Sequence, residues 1–149
     1  MQIDRAGLRV LTRDECLALL ATAELGRIAV SARALPVILP VRFAMDGDRI
    51  VIATHHGTTL EAATRDTVVA FETDGADGDS QCAWSVHVNG IASHVIDPAT
   101  LDRLAALQLP SWSAGKPTQF VAITTDHVAG RWVPDTTVRA SATTSWDGG

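Results

Sequence analysis

Between Thr54 and Glu61 the chain reads Thr-His-His-Gly-Thr-Thr-Leu-Glu. Hydroxyls at Thr54, Thr58 and Thr59 and imidazoles at His55 and His56 gather around Gly57. The spacing Thr58-x-x-Glu61 marks a helix start, in which a side-chain hydroxyl accepts an amide of the first turn. The first amides of a helix lack intrahelical partners and lie at the positive end of its dipole, so a Gly-Thr-Thr turn delivered there can hold an anion. The chemistry on offer is the seating of a phosphate-bearing small ligand.

Other reactive arrangements are not supported. The five histidines, at 55, 56, 87, 94 and 127, follow no recognised zinc spacing, and with only Cys16 and Cys82 no disulfide framework or metal site is expected. The acidic, glycine-rich stretch 74–80 lacks the glutamate and ligand spacing of a calcium loop and reads as a solvated surface loop. Ser85 and His87 share one face of a predicted strand, yet no serine stands in a nucleophile-elbow sequence, so a Ser/His hydrolase is not indicated. No catalytic acid or base can be named.

Several elements must position the turn. Thr12-Arg13-Asp14-Glu15 is a capping box that starts a helix near Arg13, with Leu17, Leu19, Leu20 and Ala23 as its apolar stripe and Gly26 as its end. Alternation predicts a strand over 27–33, a turn at 34–36, and a strand over 37–44. Pro40 removes a ladder donor from that strand, which is tolerated mainly at an edge, a bulge or a ligand-facing side. Asp46-Gly47-Asp48 is a hairpin turn leading into a strand over 49–54. After the Thr58 cap and a short helix comes a strand over 68–73. The longest strand candidate covers 82–96, and its apolar phase shifts from Trp84, Val86 and Val88 to Ile91 and Val95, which predicts a bulge near Asn89-Gly90. Asp97-Pro98 opens a third helix with Leu101, Leu104, Ala105 and Leu107 on its apolar face. A loop with Trp112 and Lys116 precedes the last strands, over 119–134, and 135–149 is short of core-forming residues and reads as a flexible tail.

Composition sets outer limits. A chain of 149 residues with 46% hydrophobic and 19% charged residues suits one globular domain, here 1–134. A formal charge of −5 with no dense Lys/Arg cluster offers no footprint for nucleic acid. The N-terminal residues carry no signal-peptide pattern and no apolar run approaches a bilayer span, so no membrane partner is expected and the chain reads as cytoplasmic.

The run Leu25-Gly26-Arg27-Ile28-Ala29-Val30, Pro36-Val37-Ile38-Leu39-Pro40-Val41, Asp46-Gly47-Asp48-Arg49-Ile50-Val51-Ile52 and Gly57-Thr58-Thr59-Leu60 resembles the pyridoxamine 5'-phosphate oxidase-like flavin-binding split barrels. So do Val69-Ala70-Phe71-Glu72-Thr73-Asp74 and Trp84-Ser85-Val86-His87-Val88-Asn89-Gly90-Ile91-Ala92. The resemblance implies a mainly β (α+β) fold, a six-stranded split β-barrel with flanking short helices, and a homodimer sharing its cofactor sites. It implies flavin mononucleotide (FMN), with a deazaflavin as the alternative, and oxidoreduction of a small molecule. Its cofactor-binding positions are Pro40, Val41, Arg42 and Phe43, then Thr54, His55, His56, Gly57, Thr58 and Thr59, then Trp84 and Ser85. Ala53 and Thr59 stand where the family usually has Arg and Lys. Two charge-assisted bonds worth about 1.5–3 kcal/mol each are thereby lost, for which Arg42, His55 or His56 can compensate. Arg42 could instead occupy the ring site. That departure keeps three alternatives open: a flavin or deazaflavin carrier without efficient turnover, a degenerate barrel without flavin, and a haem-binding barrel.

Overall fold

The computed structural model describes residues 1–77, 82–110 and 119–133. The elements run β1 (Gln2–Ile3), β2 (Arg9–Val10), α1 (Arg13–Thr22), β3 (Leu25–Ala32), β4 (Leu35–Asp46) and β5 (Arg49–Thr54). They continue with α2 (Thr59–Ala62), β6 (Thr67–Asp77), β7 (Cys82–His94), α3 (Pro98–Ala106), β8 (Gln119–Ile123) and β9 (His127–Val133). The expectations for Trp112, Lys116 and the tail over 135–149 lie outside the described residues.

Strands β7-β6-β3-β4-β5-β8 pair antiparallel in that order and β8 pairs back onto β7, which closes the expected six-stranded barrel. Period-two alternation fills it: Ile28 and Val30, Val41 and Phe43, Ile50 and Ile52, Val69 and Phe71, Val86 and Val88, Val121 and Ile123 form one buried cluster. Phe43 and Phe71 meet edge to face at 4.8 Å. Outside the ring, β9 pairs with the first half of β7, and β2 and β1 extend the sheet beyond it.

The barrel is split along β4. Leu35 to Arg42 pair with β3, whereas only Phe43 to Asp46 pair with β5. The outer edge of β4 from Leu35 to Arg42 thus has no strand partner among the described residues. Pro36 and Pro40 lie in this half, where a missing N–H costs no ladder bond on the open side.

Helix α1 starts as its sequence dictates. Thr12 Oγ1 accepts from the Glu15 amide at 3.2 Å, and the Glu15 carboxylate accepts from the Thr12 amide at 3.1 Å. The helix buries Cys16 and Leu20. Arg13 reaches the Thr125 carbonyl and hydroxyl at 2.7 and 2.9 Å, and Thr125 donates to the Asp48 carbonyl at 2.7 Å, so one chain of bonds joins α1, the β8–β9 turn and the β4–β5 hairpin. Arg103 on α3 holds Asp46 at 2.8 Å, and this guanidinium keeps the Asp46 carboxyl below its ordinary range.

Several local expectations give way to tertiary packing. Gly26 does not end α1; the helix stops at Thr22 with an extended Ala23 cap, and Gly26 lies within β3, where a Cβ would meet the Phe71 ring at 2.8 Å and closer. The β3–β4 turn is Arg33-Ala34, both with positive φ, and Leu35 and Pro36 already belong to β4. Asp74 to Asp77 are not loop but the continuation of β6, paired with Ser85 to Cys82. No bulge interrupts β7. Its register against β6 runs unbroken from Ala92 to Cys82, and the buried phase continues through Gly90 and Ala92 while Ile91 faces out. On α3 only Leu104 is buried, and Leu107 is exposed.

Candidate functional site

The predicted site residues fall into two groups. The first is the turn between β5 and α2. Thr54, at the end of β5, is buried with its hydroxyl 3.0 Å from that of Thr58. Thr58 Oγ1 also contacts the His55 carbonyl at 2.9 Å and accepts the Glu61 amide at 3.0 Å, while Gly57 takes φ +80°. His56 and Thr59 are exposed. Helix α2 spans only Thr59–Ala62, a single turn.

The capping box at this turn is only half formed. Thr58 caps as expected, but the Glu61 carboxylate turns instead to the Gly57 amide at 3.4 Å and to Arg65, with His56 Nδ1 3.9 Å away. Glu61 is only 5% exposed. Burial pushes its carboxyl up, but the Gly57 N–H, Arg65 and His94 outweigh this and hold it below the ordinary glutamate range. It stays ionised, and an anion of the protein's own already sits at the turn. His94 Nε2 supports the arrangement from β7, 3.0 Å from the Glu61 carbonyl and 3.2 Å from the Thr64 hydroxyl.

The second group lies at the split. Val41 and Phe43 point into the core, so Pro40 and Arg42 face outward. Arg42 is the last β4 residue paired with β3, opposite Leu25, and the next amide, Phe43 N–H, donates to the Glu24 carbonyl at 3.0 Å. Two grooves meet here. One, of about 440 Å³, runs from Ala23, Glu24 and Arg42 past Phe43 and Met45 to Leu107, Leu109 and Pro110. The other carries Glu24, Leu25 and Arg42 to Asp74, Gly75 and Trp84. Trp84 is 9% exposed, with its indole against Gly75, where a Cβ would meet the ring at 2.7 Å. Ser85 is half-buried and paired with Asp74 and Arg131.

Sequence reasoning missed Glu24, Met45 and the Leu107–Pro110 segment as groove walls, and the buried Glu61 charge. The apolar run Leu107-Gln108-Leu109-Pro110 after the helix was the available signal. Among the described residues no group of three metal-ligating side chains occurs, and no helix is long and apolar enough to cross a membrane.

Comparison with known proteins extends this picture. Residues 12–132 match the family described as pyridoxamine 5'-phosphate oxidase. The uncharacterised protein Rv0080 of Mycobacterium tuberculosis is 34% identical over 125 residues, covering 80% of this chain and 82% of that protein. The FAD-binding protein of Mycobacterium smegmatis superposes with a TM-score of 0.69 at 31% identity, over 83% of this chain and 96% of that one. An FAD-binding protein of Mesorhizobium loti shares the fold, with a TM-score of 0.64 at 22% identity, over 85% and 98% of the two chains. With a matched span that runs from the α1 cap to β9 and takes in the whole barrel, the chain belongs to the pyridoxamine 5'-phosphate oxidase family.

Proposed function

We propose that this protein binds a flavin and works as a flavin-dependent oxidoreductase on a small molecule, with FMN as the cofactor. The observation that carries the flavin is the likeness to the M. smegmatis FAD-binding protein at 31% identity over nearly the whole of that chain, while FMN and the oxidoreduction rest on the family match. The residues present fit such a group. The grooves at the split offer a cation, Arg42, beside the apolar walls of Met45, Leu107 and Leu109. A bound flavin supplies the two-electron chemistry. The chain's own part is to hold the ring system, orient it and limit water. A second reading, flavin adenine dinucleotide (FAD) in place of FMN, is favoured by the likeness to the M. smegmatis protein, which binds FAD. Quenching of flavin fluorescence on titration with the purified protein tests the proposal; unchanged emission with every flavin would overturn it.

The working unit in this reading is a homodimer. The outward face of β4, β3, β6 and β7 presents Ile38, Ala29 and Ala70 in one row and the paired Val68 and Ile91 nearby, with Ile38 70% and Val68 71% exposed. Solvent-facing branched aliphatics clustered on a sheet mark an association surface. Arg27 pairs with Glu72 at 3.1 Å in the same face and lies 3.5 Å from Asp74, so the face carries both signs of charge and can complement itself about a twofold axis. Light scattering at micromolar concentration should report a dimer and Val68→Glu a monomer; a monomeric parent protein would refute the shared site.

A further inference from the structure

Arg9, Arg27, Arg49, Arg65, Arg103 and Arg131 each pair with a carboxylate. Arg42 and Glu24 carry opposite charges and line the same two grooves, yet neither side chain makes an ion pair or a hydrogen bond among the described residues. Their charged ends stand beyond ion-pair distance on the walls of one space. The second carboxylate of the grooves, Asp74, is already engaged, 3.5 Å from Arg27.

A third polar group opens there. Trp84, only 9% exposed, lines the groove at Gly75, where a Cβ would meet the indole Nε1 at 2.9 Å. No described residue accepts from that N–H, and among the described residues no fully enclosed side-chain nitrogen lacks a partner, so the indole N–H opens into the groove. A donor so nearly enclosed has given up most of its water without gaining an acceptor, a cost that a ligand oxygen removes. A purely anionic ligand would satisfy Arg42 and Trp84 but meet Glu24 and Asp74 in repulsion. A purely cationic one would satisfy Glu24 and leave the guanidinium and the indole unanswered. A ligand with both charges answers all three.

We propose that the mouth shared by the two grooves binds a zwitterion of the amino-acid class. Its carboxylate lies on Arg42 and the Trp84 N–H, its ammonium on Glu24, and its apolar side chain along Met45, Leu107 and Leu109 in the groove of about 440 Å³. As the small molecule on which the oxidoreductase acts, this ligand rests on the flavin reading above; as a bound ligand it does not. Arg42 and Glu24 are both exposed, so affinity should fall as salt is raised.

The test titrates three matched probes against the 149-residue chain: L-phenylalanine, 3-phenylpropanoate, which lacks the ammonium, and phenethylamine, which lacks the carboxylate. Binding is read by calorimetry and by the indole N–H resonances in proton NMR. Phenylalanine is expected to bind about tenfold more tightly than either simpler probe and to move one indole resonance, the one absent from Trp84→Phe. Glu24→Gln should bring phenylalanine down to the affinity of 3-phenylpropanoate, and Arg42→Gln to that of phenethylamine, because each variant removes the charge that the simpler probe leaves unused. Arg33→Ala, which removes a cation on the β3–β4 turn, should change nothing. Three probes that bind alike, none that binds, or a Glu24→Gln variant that keeps the full preference overturns the assignment. Flavin fluorescence on the same protein separates the two readings. Phenylalanine bound by a chain that takes no flavin keeps the site and removes the substrate role, whereas flavin bound by a chain that takes no phenylalanine removes the site and leaves the flavin reading standing.

Discussion

Gly90→Ala is expected to destabilise the fold by at least about 3 kcal/mol, a fall on the order of 10 °C in Tm. Gly90 lies where β7 exchanges β9 for β8 as its neighbour: Asn89 pairs with His127, and Ala92 with Ile123. The β8–β9 turn crosses β7 at this point. Thr124 N–H donates to the Ile91 carbonyl at 3.1 Å, and Ile91 N–H donates to Thr124 Oγ1 at 2.9 Å. A Cβ on Gly90 would lie 2.7 Å from the Thr124 carbonyl carbon and closer still to its oxygen. Backbone cannot rotate away as a side chain can, so the turn must shift and both bonds weaken, opening the seam where the barrel closes. Thermal unfolding followed by circular dichroism checks this. A variant melting within about 2 °C of the parent would mean that the β8–β9 turn moves aside freely.

Phe71→Ala should cost about 3–5 kcal/mol. The ring is 2% exposed, stacks edge to face on Phe43 and fills the space that Gly26 leaves open. Truncation opens a cavity at the centre of the barrel and removes the aromatic pair. The reciprocal change, Gly26→Ala, presses a methyl group into the same ring and should also destabilise. Their effects are coupled: Gly26→Ala should cost less in a Phe71→Leu background than in the parent, by more than the roughly 0.5 kcal/mol of ordinary non-additivity. Denaturant titration of the four proteins measures the difference. Additive effects would show that Phe71 does not hold Gly26 as the only residue tolerated there.

Much of this architecture is written locally. The Thr12–Glu15 cap, the Asp46–Arg49 hairpin with Gly47 at positive φ and the Asp97-Pro98 helix start appear as read, because each is decided by neighbours in sequence. The order of strands, through its resemblance to known split barrels, brought the six-stranded closure. What was illegible depends on distant residues. On β7 the buried phase passes through Gly90 and Ala92, too small to register as apolar, while Ile91 next to them faces out; the apparent phase shift follows from Thr124 requiring a glycine. Gly26 resembles a helix stop in sequence, but it is a glycine because Phe71 presses on it. The Thr58-x-x-Glu61 spacing cannot tell whether the carboxylate turns to the cap amide or toward Gly57 and Arg65. The grooves at Arg42 require the end of α1, β4 and the segment after α3 to meet, which no local pattern encodes.

Flavin binding is tested most directly by thermal melts of the 149-residue chain with FMN, riboflavin, FAD and a deazaflavin, all at one concentration set at about a hundredfold excess over the FMN dissociation constant found by fluorescence. A ligand held only by the folded state stabilises it by about 2.7 kcal/mol under these conditions, which is readily visible as a rise in Tm. The account predicts such a rise with FMN, larger at equal concentration than with riboflavin. A larger rise with FAD would transfer the site to the dinucleotide and keep the flavin reading. An unchanged melt with all four ligands would contradict it and leave a split barrel that has kept its fold without a flavin.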